Sequence, residues 1–278
     1  MRTTETGTIR VPGADLYYKK TGTGPWLLIL QGGDGDAEGS NGIAEHLAGH
    51  YTVVTYDRRG LSRSRSDDAA EGSIRLETHT DDAHSLLAAL ASDPVLVFGV
   101  SLGALLGLDL ASRFSEQVRT LVSFEPPATQ LLPDAERAGA TKDQEEVEAA
   151  FRREGIPGAM KKFVALARLN FEDREPDVEL PRSGPERAAN LKFFLTHDAP
   201  AVRLYRLDLP SLEAAAPKIV VGAGRTSGTT MPHRCAIALA KQLGKPVEEF
   251  PGGHNGFVTH PRAFAERLHE VLKAEGAK

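Results

Sequence analysis

Apolar residues gather into short, regularly spaced runs along the first half of the chain. They are "WLLIL" at 26–30, "YTVVTY" at 51–56, "PVLVFG" at 94–99 and "VRTLVSFE" at 118–125. Runs of this length bounded by turn residues predict buried strands. Between them lie segments with apolar residues at helical spacing: "NGIAEHLAG" (41–49), "THTDDAHSLLAALA" (78–91) and "LGALLGLDLASRF" (102–114). Ahead of the series, "GTIRVPG" and "ADLYYKKTGTGP" predict two strands joined at Pro12-Gly13. Strand and helix alternate with short connections, which predicts an α/β fold with a mostly parallel, eight-stranded sheet, right-handed crossovers and flanking helices.

The rhythm breaks after Glu125. Residues 126–200 carry helical segments, "KDQEEVEAAFRREG" and "GAMKKFVALARLNF", separated by Pro- and Gly-rich joints and without a strand pattern. The alternation resumes with "KIVVGAG" (218–224), "CAIALAKQLG", "VEEFPGG" and "PRAFAERLHEVLKA". The expected organisation is a core of residues 1–125 and 201–278 with a helical lid, 126–200, inserted into it.

Composition narrows the class. With 278 residues, 41% hydrophobic and 26% charged, the chain suits one α/β domain plus an insertion. A net charge of −5 gives no reason to expect nucleic acid or an anionic membrane as partner. The four arginines of "DRRGLSRSRSDD" (57–68) are read as part of a polar loop, not a nucleic-acid patch. Cys235 is the sole cysteine, which excludes an internal disulfide and a multi-cysteine zinc site. "MRTTETGTIR" lacks the apolar core of a secretory signal, so the cytoplasm is the expected location.

The chemistry centres on "FGVSLGALLGL". Gly99-Val100-Ser101-Leu102-Gly103 matches G-x-S-x-G between a predicted strand and a predicted helix, the context a nucleophile elbow requires. Small residues on both sides of Ser101 permit the sharp turn. The helix behind it offers free N–H groups and a positive dipole end to an oxyanion.

A serine hydroxyl needs a base. Of nine histidines, His254 in "EFPGGHNGFVTHP" leaves the last predicted strand, and Gly252 and Gly253 let that loop turn inward. His260 is assigned a capping or surface role, and His79, His84 and His269 face solvent or make local bonds. His46, His50 and His233 belong to peripheral helices, and His197 lies in the lid, within reach of substrate.

The base in turn needs a carboxylate. "AGRTSGTTMPHRC", following the strand after the lid, holds no Asp or Glu. Glu125, in "LVSFEPP", ends the strand after the nucleophile's helix and is the expected acid, with Glu248 and Glu249 next in line. The oxyanion donors are expected from Leu102 and from "LQGGDG", with Gly33 first and Gly32 as its neighbour. That loop lacks the Lys-Ser/Thr of a phosphate-binding loop. Phe193, Phe194 and His197 are candidates for the substrate pocket, although the phenylalanines equally suit the lid's own core.

"GTGPWLLILQGG", "YTVVTYDRRGLSRS", "FGVSLGALLGL", "LVSFEPP" and "GGHNGFVTHP" together resemble the α/β-hydrolase family over nearly the whole chain. Within it, the sequence looks most like the lid-bearing zearalenone lactonases, whose triad also takes a Glu soon after the elbow strand. The likeness supports Glu125. This chain departs from those lactonases at Leu102, where they carry a second serine, and at Gln31, where they carry an acid. The lid tryptophan they use against their ligand is also missing, since the sole tryptophan is Trp26, in a core strand.

The expectation is a serine hydrolase of a small to medium apolar ester or lactone, working through an acyl-enzyme without metal or organic cofactor. Carbon–carbon bond hydrolysis and perhydrolysis use the same triad and remain open, as does a non-catalytic ligand-binding protein on this fold. Oligomeric state is not legible.

Overall fold

The structure, a computed structural model, describes residues 4–33, 35–67, 74–180 and 184–276. Strands β1 (Thr4–Val11) and β2 (Ala14–Thr21) form an antiparallel hairpin turned at Gly13, whose φ of 76° suits glycine. The chain continues through β3 (Trp26–Leu30), α1 (Asn41–Leu47), β4 (Thr52–Tyr56), a two-residue strand β5 (Arg65–Ser66) and α2 (Leu76–Leu90). Next come β6 (Val95–Val100), α3 (Leu102–Arg113) and β7 (Val118–Phe124). The sheet order is β1-β2-β4-β3-β6-β7, completed by β8 (Ile219–Gly224) and β9 (Val247–Phe250), with β5 paired to β2 off this path. From β4 to β9 neighbouring strands on that path run parallel.

Side chains alternate across the pleat. In β3, Leu28 and Leu30 pack with α2 and α3 residues such as Leu87, Leu105 and Leu106. Leu27 and Ile29 face the other way, with Ile43 and Leu47 of α1 and Leu268 of the terminal helix α10 (Pro261–Gly276). Phe98, Phe124, Phe250 and Phe264 knit this second face, with Phe264 ring centroids 4.8–5.5 Å from the other three. Both sheet faces are covered, so β6 and β8 are buried throughout and read as continuous apolar runs.

Between β7 and β8 the chain makes a helical excursion. Helix α4 (Asp134–Ala167) contains a break at Gly155 (φ 69°, ψ −163°) beside Pro157, which separates the two helical segments expected there. Helix α5 (Pro185–Phe193) runs through a π-helical turn, Phe194–Asp198, into α6 (Ala199–Leu204), and α7 (Leu209–Ala215) follows. After β8 the chain forms α8 (Met231–Leu243), then β9, the short α9 (Gly256–Thr259) and α10. Among the described residues, no helix is long and apolar enough to cross a membrane.

The loop after β4 departs from the polar reading. Arg58 and Arg59 are 1% and 8% exposed. Arg59 binds Asp82 and the Pro12 and Gly13 carbonyls, and so staples the β1–β2 turn to α2. Their burial rests on acceptors supplied from distant parts of the chain, which local composition does not display.

Candidate active site

The bend at Ser101 is real. Its backbone sits at φ 54° and ψ −121°, between β6 and α3, a region that non-glycine residues rarely occupy. A β-carbon on Gly99 would strike the Gly103 carbonyl, and one on Gly103 would strike that of Leu30. The turn is therefore closed to larger residues. The Ser101 N–H donates to the Phe124 carbonyl at 3.0 Å, and the Ser101 carbonyl accepts from Ala104 and Leu105, starting α3. Leu102 opens that helix, so its N–H has no acceptor within the helix.

Glu125 leaves β7 in the left-handed region (φ 47°), and its N–H donates to the Gly222 carbonyl at 3.0 Å. The residue is fully buried. His254 Nδ1 donates to its Oε2 at 2.7 Å, and the Gly224 N–H donates to its Oε1 at 2.9 Å. Burial pushes the carboxyl pKa up, but hydrogen bonds from His233 and His254 outweigh it and bring it down to about 2. His254 follows the positive-φ Gly252 in the loop after β9 and is 6% exposed. The expected acid and base are thus in contact. Glu248 pairs instead with Arg267 at 2.5 Å, and Glu249 faces Arg225 at 3.9 Å.

His233 departs from the peripheral place given to it. Its Nδ1 lies 3.3 Å from Glu125 Oε1, so a second imidazole leans on the same carboxylate. It reaches there because α8 starts close behind β8, one strand over from β7. His79 also departs from its reading: it is buried, and its Nε2 donates to Asp198 Oδ1 at 2.9 Å. His84 and His269 likewise bond to other parts of the chain, to Gln117 and to Tyr51, rather than locally.

The glycine loop lies against the elbow. A β-carbon on Gly32 would sit 3.4 Å from Ser101 Cβ, and one on Gly33 would sit 3.3 Å from the Phe194 ring. The expected pocket residues separate. Phe194 is buried, packed on Gly33 and edge-on to Phe163 at 5.9 Å. Phe193 packs over Gly60, 4.8 Å from the His197 ring. Phe193 and His197 line a cavity of about 1010 Å³ with Leu76, Lys192, Leu204 and Tyr205, a lining that excludes Ser101, Glu125 and His254.

The family model for the alpha/beta hydrolase fold matches residues 25–261. The chain belongs to the α/β-hydrolase family. This α/β hydrolase is 39% identical to the uncharacterized hydrolase YraK of Bacillus subtilis (strain 168), covering 98% of each chain. It is 25% identical to a zearalenone hydrolase of Bionectria ochroleuca, over 96% of this chain and 97% of that one. A thermophilic esterase from Thermogutta terrifontis superposes with a TM-score of 0.73 at 21% identity, covering 99% of both chains, a likeness of fold. The protein is accordingly a hydrolase, and its relation to zearalenone hydrolases is distant.

Proposed function

We propose that this α/β hydrolase is a serine hydrolase that cleaves a carboxylic ester or lactone of a small to medium apolar substrate. The observation that carries the reading is the 2.7 Å contact of His254 Nδ1 with buried Glu125, at the same end of the sheet as the elbow serine. A carboxylate on Nδ1 fixes the tautomer whose Nε2 is free to accept a proton, and stabilises the imidazolium once it forms.

In the proposed mechanism, Ser101 Oγ attacks the carbonyl carbon as His254 takes its proton. The N–H groups of Leu102 and of Gly33, with Gly32 beside it, receive the oxyanion. Collapse expels the alcohol, protonated by His254, and leaves an acyl-enzyme. Water, activated by the same imidazole, then releases the acid. The helical excursion acts as the lid, and Phe194 is its contribution to the pocket wall nearest the oxyanion loop. The zearalenone hydrolase relatives support a lactone or ester as substrate. The absent lid tryptophan argues for a ligand other than theirs.

Hydrolysis of p-nitrophenyl esters of graded acyl length, with fluorophosphonate labelling, tests the reading. Wild type turns over and is labelled at Ser101, and Ser101→Ala loses about 10⁴-fold or more in kcat and takes no label. Wild type inert to both reagents, or a Ser101→Ala variant of undiminished rate, would overturn it.

A further inference from the structure

Arg58 is enclosed behind the glycine loop, and nothing in the triad uses it. Its Nη1 donates to the carbonyls of Gln31 (3.2 Å), Gly32 (3.1 Å) and Gly35 (3.5 Å), and its Nη2 to that of Gly33. Nη2 also pairs with Asp198 Oδ2 at 2.9 Å, and the other Asp198 oxygen accepts from His79 Nε2. All three side chains are almost wholly buried.

The planar trans peptide turns these contacts into a directional constraint. A peptide's carbonyl and N–H point in opposite directions. With the Gln31 and Gly32 carbonyls held on the guanidinium, the N–H groups of Gly32 and Gly33 are aimed away from it. Those are the loop groups assigned, alongside Leu102, to the oxyanion, and Gly32 is the one lying against Ser101. Within the loop the Gly32 carbonyl also accepts from the Gly35 N–H at 3.0 Å, but neither Gly32 nor Gly33 has a side chain to anchor it, and the guanidinium adds a donor from outside. A guanidinium does so with a fork that reaches several acceptors at once.

Asp198 connects this device to the helical excursion. It closes the π-helical turn Phe194–Asp198, whose first residue stacks its ring on Gly33. One turn thus grips the loop twice, through an ion pair behind it and an aromatic ring upon it. π-helical turns of this kind concentrate at functional sites.

We propose that Arg58 and Asp198 are positioning residues for the oxyanion-binding loop, so that seating of the lid and alignment of the Gly32 and Gly33 N–H groups are one event. This rests on the serine-hydrolase reading above. Arg58 touches neither substrate nor the reacting atoms and acts through the loop.

The test compares wild type, Asp198→Asn and Arg58→Lys in p-nitrophenyl acetate hydrolysis, and in inhibition by an aryl trifluoromethyl ketone, which forms a tetrahedral oxyanion on the serine. Asp198→Asn keeps the side chain's shape but removes its charge, and is expected to lower kcat by about 10- to 100-fold. KM should change by less than about threefold, and ketone affinity should fall in proportion to kcat/KM. Arg58→Lys, with one ammonium for five acceptors, should approach the 10²–10³-fold loss typical of a deleted oxyanion donor. Should Arg58→Lys fail to fold, Asp198→Asn decides alone. A folded Asp198→Asn variant with a lowered melting temperature but wild-type kcat and ketone affinity would reduce the network to scaffolding and overturn the proposal. Wild type unlabelled at Ser101 by fluorophosphonate would overturn it together with the reading on which it rests.

Discussion

Two fully buried carboxylates sit at this site, each between two basic groups, and the roles proposed for them differ. Glu125 lies between His254 and His233, and Asp198 between Arg58 and His79. In both, burial alone pushes the pKa up and the basic partners reverse the shift. The difference lies in the partners: Glu125 meets two imidazoles, whereas Asp198 meets one, that of His79, beside the permanently charged guanidinium of Arg58. In the proposed mechanism His254 takes and returns a proton, so Glu125 has a varying charge to answer. A guanidinium is always charged, so the Arg58–Asp198 pair keeps its charges and is suited to holding shape. Proton transfer is thus proposed at the first carboxylate and support of a loop at the second.

Glu125→Gln tests that difference most severely. The amide retains the volume and presents the wrong group to His254, and kcat should fall by about 10⁴-fold, as for loss of the triad carboxylate elsewhere. This exceeds the effect expected of Asp198→Asn by two orders of magnitude or more, and equal losses would erase the distinction. The pH dependence of stability carries a second signature. The folded pKa of Glu125 is depressed from 4.5 to about 2. Its contribution to stability is therefore fully present above the unfolded value and lost as pH falls through about 2. In urea unfolding at pH 5 and at pH 3, the stability gap between wild type and Glu125→Gln should narrow at the lower pH. A constant gap would mean that Glu125 is not held ionised by its neighbours.

His233 probes the same carboxylate more gently. At 3.3 Å from Oε1, its contact is longer than that of His254, and Gly224 shares that oxygen. One hydrogen bond of this kind is worth about 0.5–1.5 kcal/mol, which corresponds to roughly 2- to 12-fold in rate. His233→Leu should therefore lose about that factor in kcat on the ester, while His233→Gln, which keeps a donor, stays near wild type. A Leu variant as fast as wild type would show that Gly224 and His254 alone orient the glutamate.

The contrast also explains what was legible beforehand. Strand runs, the bend at Ser101 and the meeting of Glu125 with His254 could be read because each residue is marked locally: Ser101 between two glycines, Glu125 at a strand's end before two prolines, His254 after two glycines. The strand at 26–30 was placed to the residue because its apolar run ends at the glycine loop. Arg58 and Asp198 escaped because they lie 140 positions apart, each unremarkable in its own segment. "DRRG" resembles a solvated loop until the carbonyls that bury Arg58 are brought to it by the fold. His233 was missed for a related reason: its partner comes from another strand, 108 positions earlier. The Gly155 joint was legible in "REGIPG", where a positive-φ glycine and Pro157 interrupt the helix.

The smallest effect concerns neighbouring phenylalanines. Phe194 lies on Gly33, beside the groups that would receive the oxyanion, whereas Phe193 packs over Gly60 and opens with His197 onto the separate cavity. If the substrate's acyl chain runs past the oxyanion loop, Phe194→Ala should shift the preferred p-nitrophenyl ester length by a few-fold in kcat/KM. Phe193→Ala and His197→Ala should each change kcat/KM by less than about threefold across the series. The outer cavity then serves neither chain nor leaving group. A tenfold rise in KM on truncating Phe193 would reverse the assignment, for it would mean that binding extends over Gly60. In that case the arginine loop after β4 would form a wall of the substrate site as well as the support of its oxyanion loop.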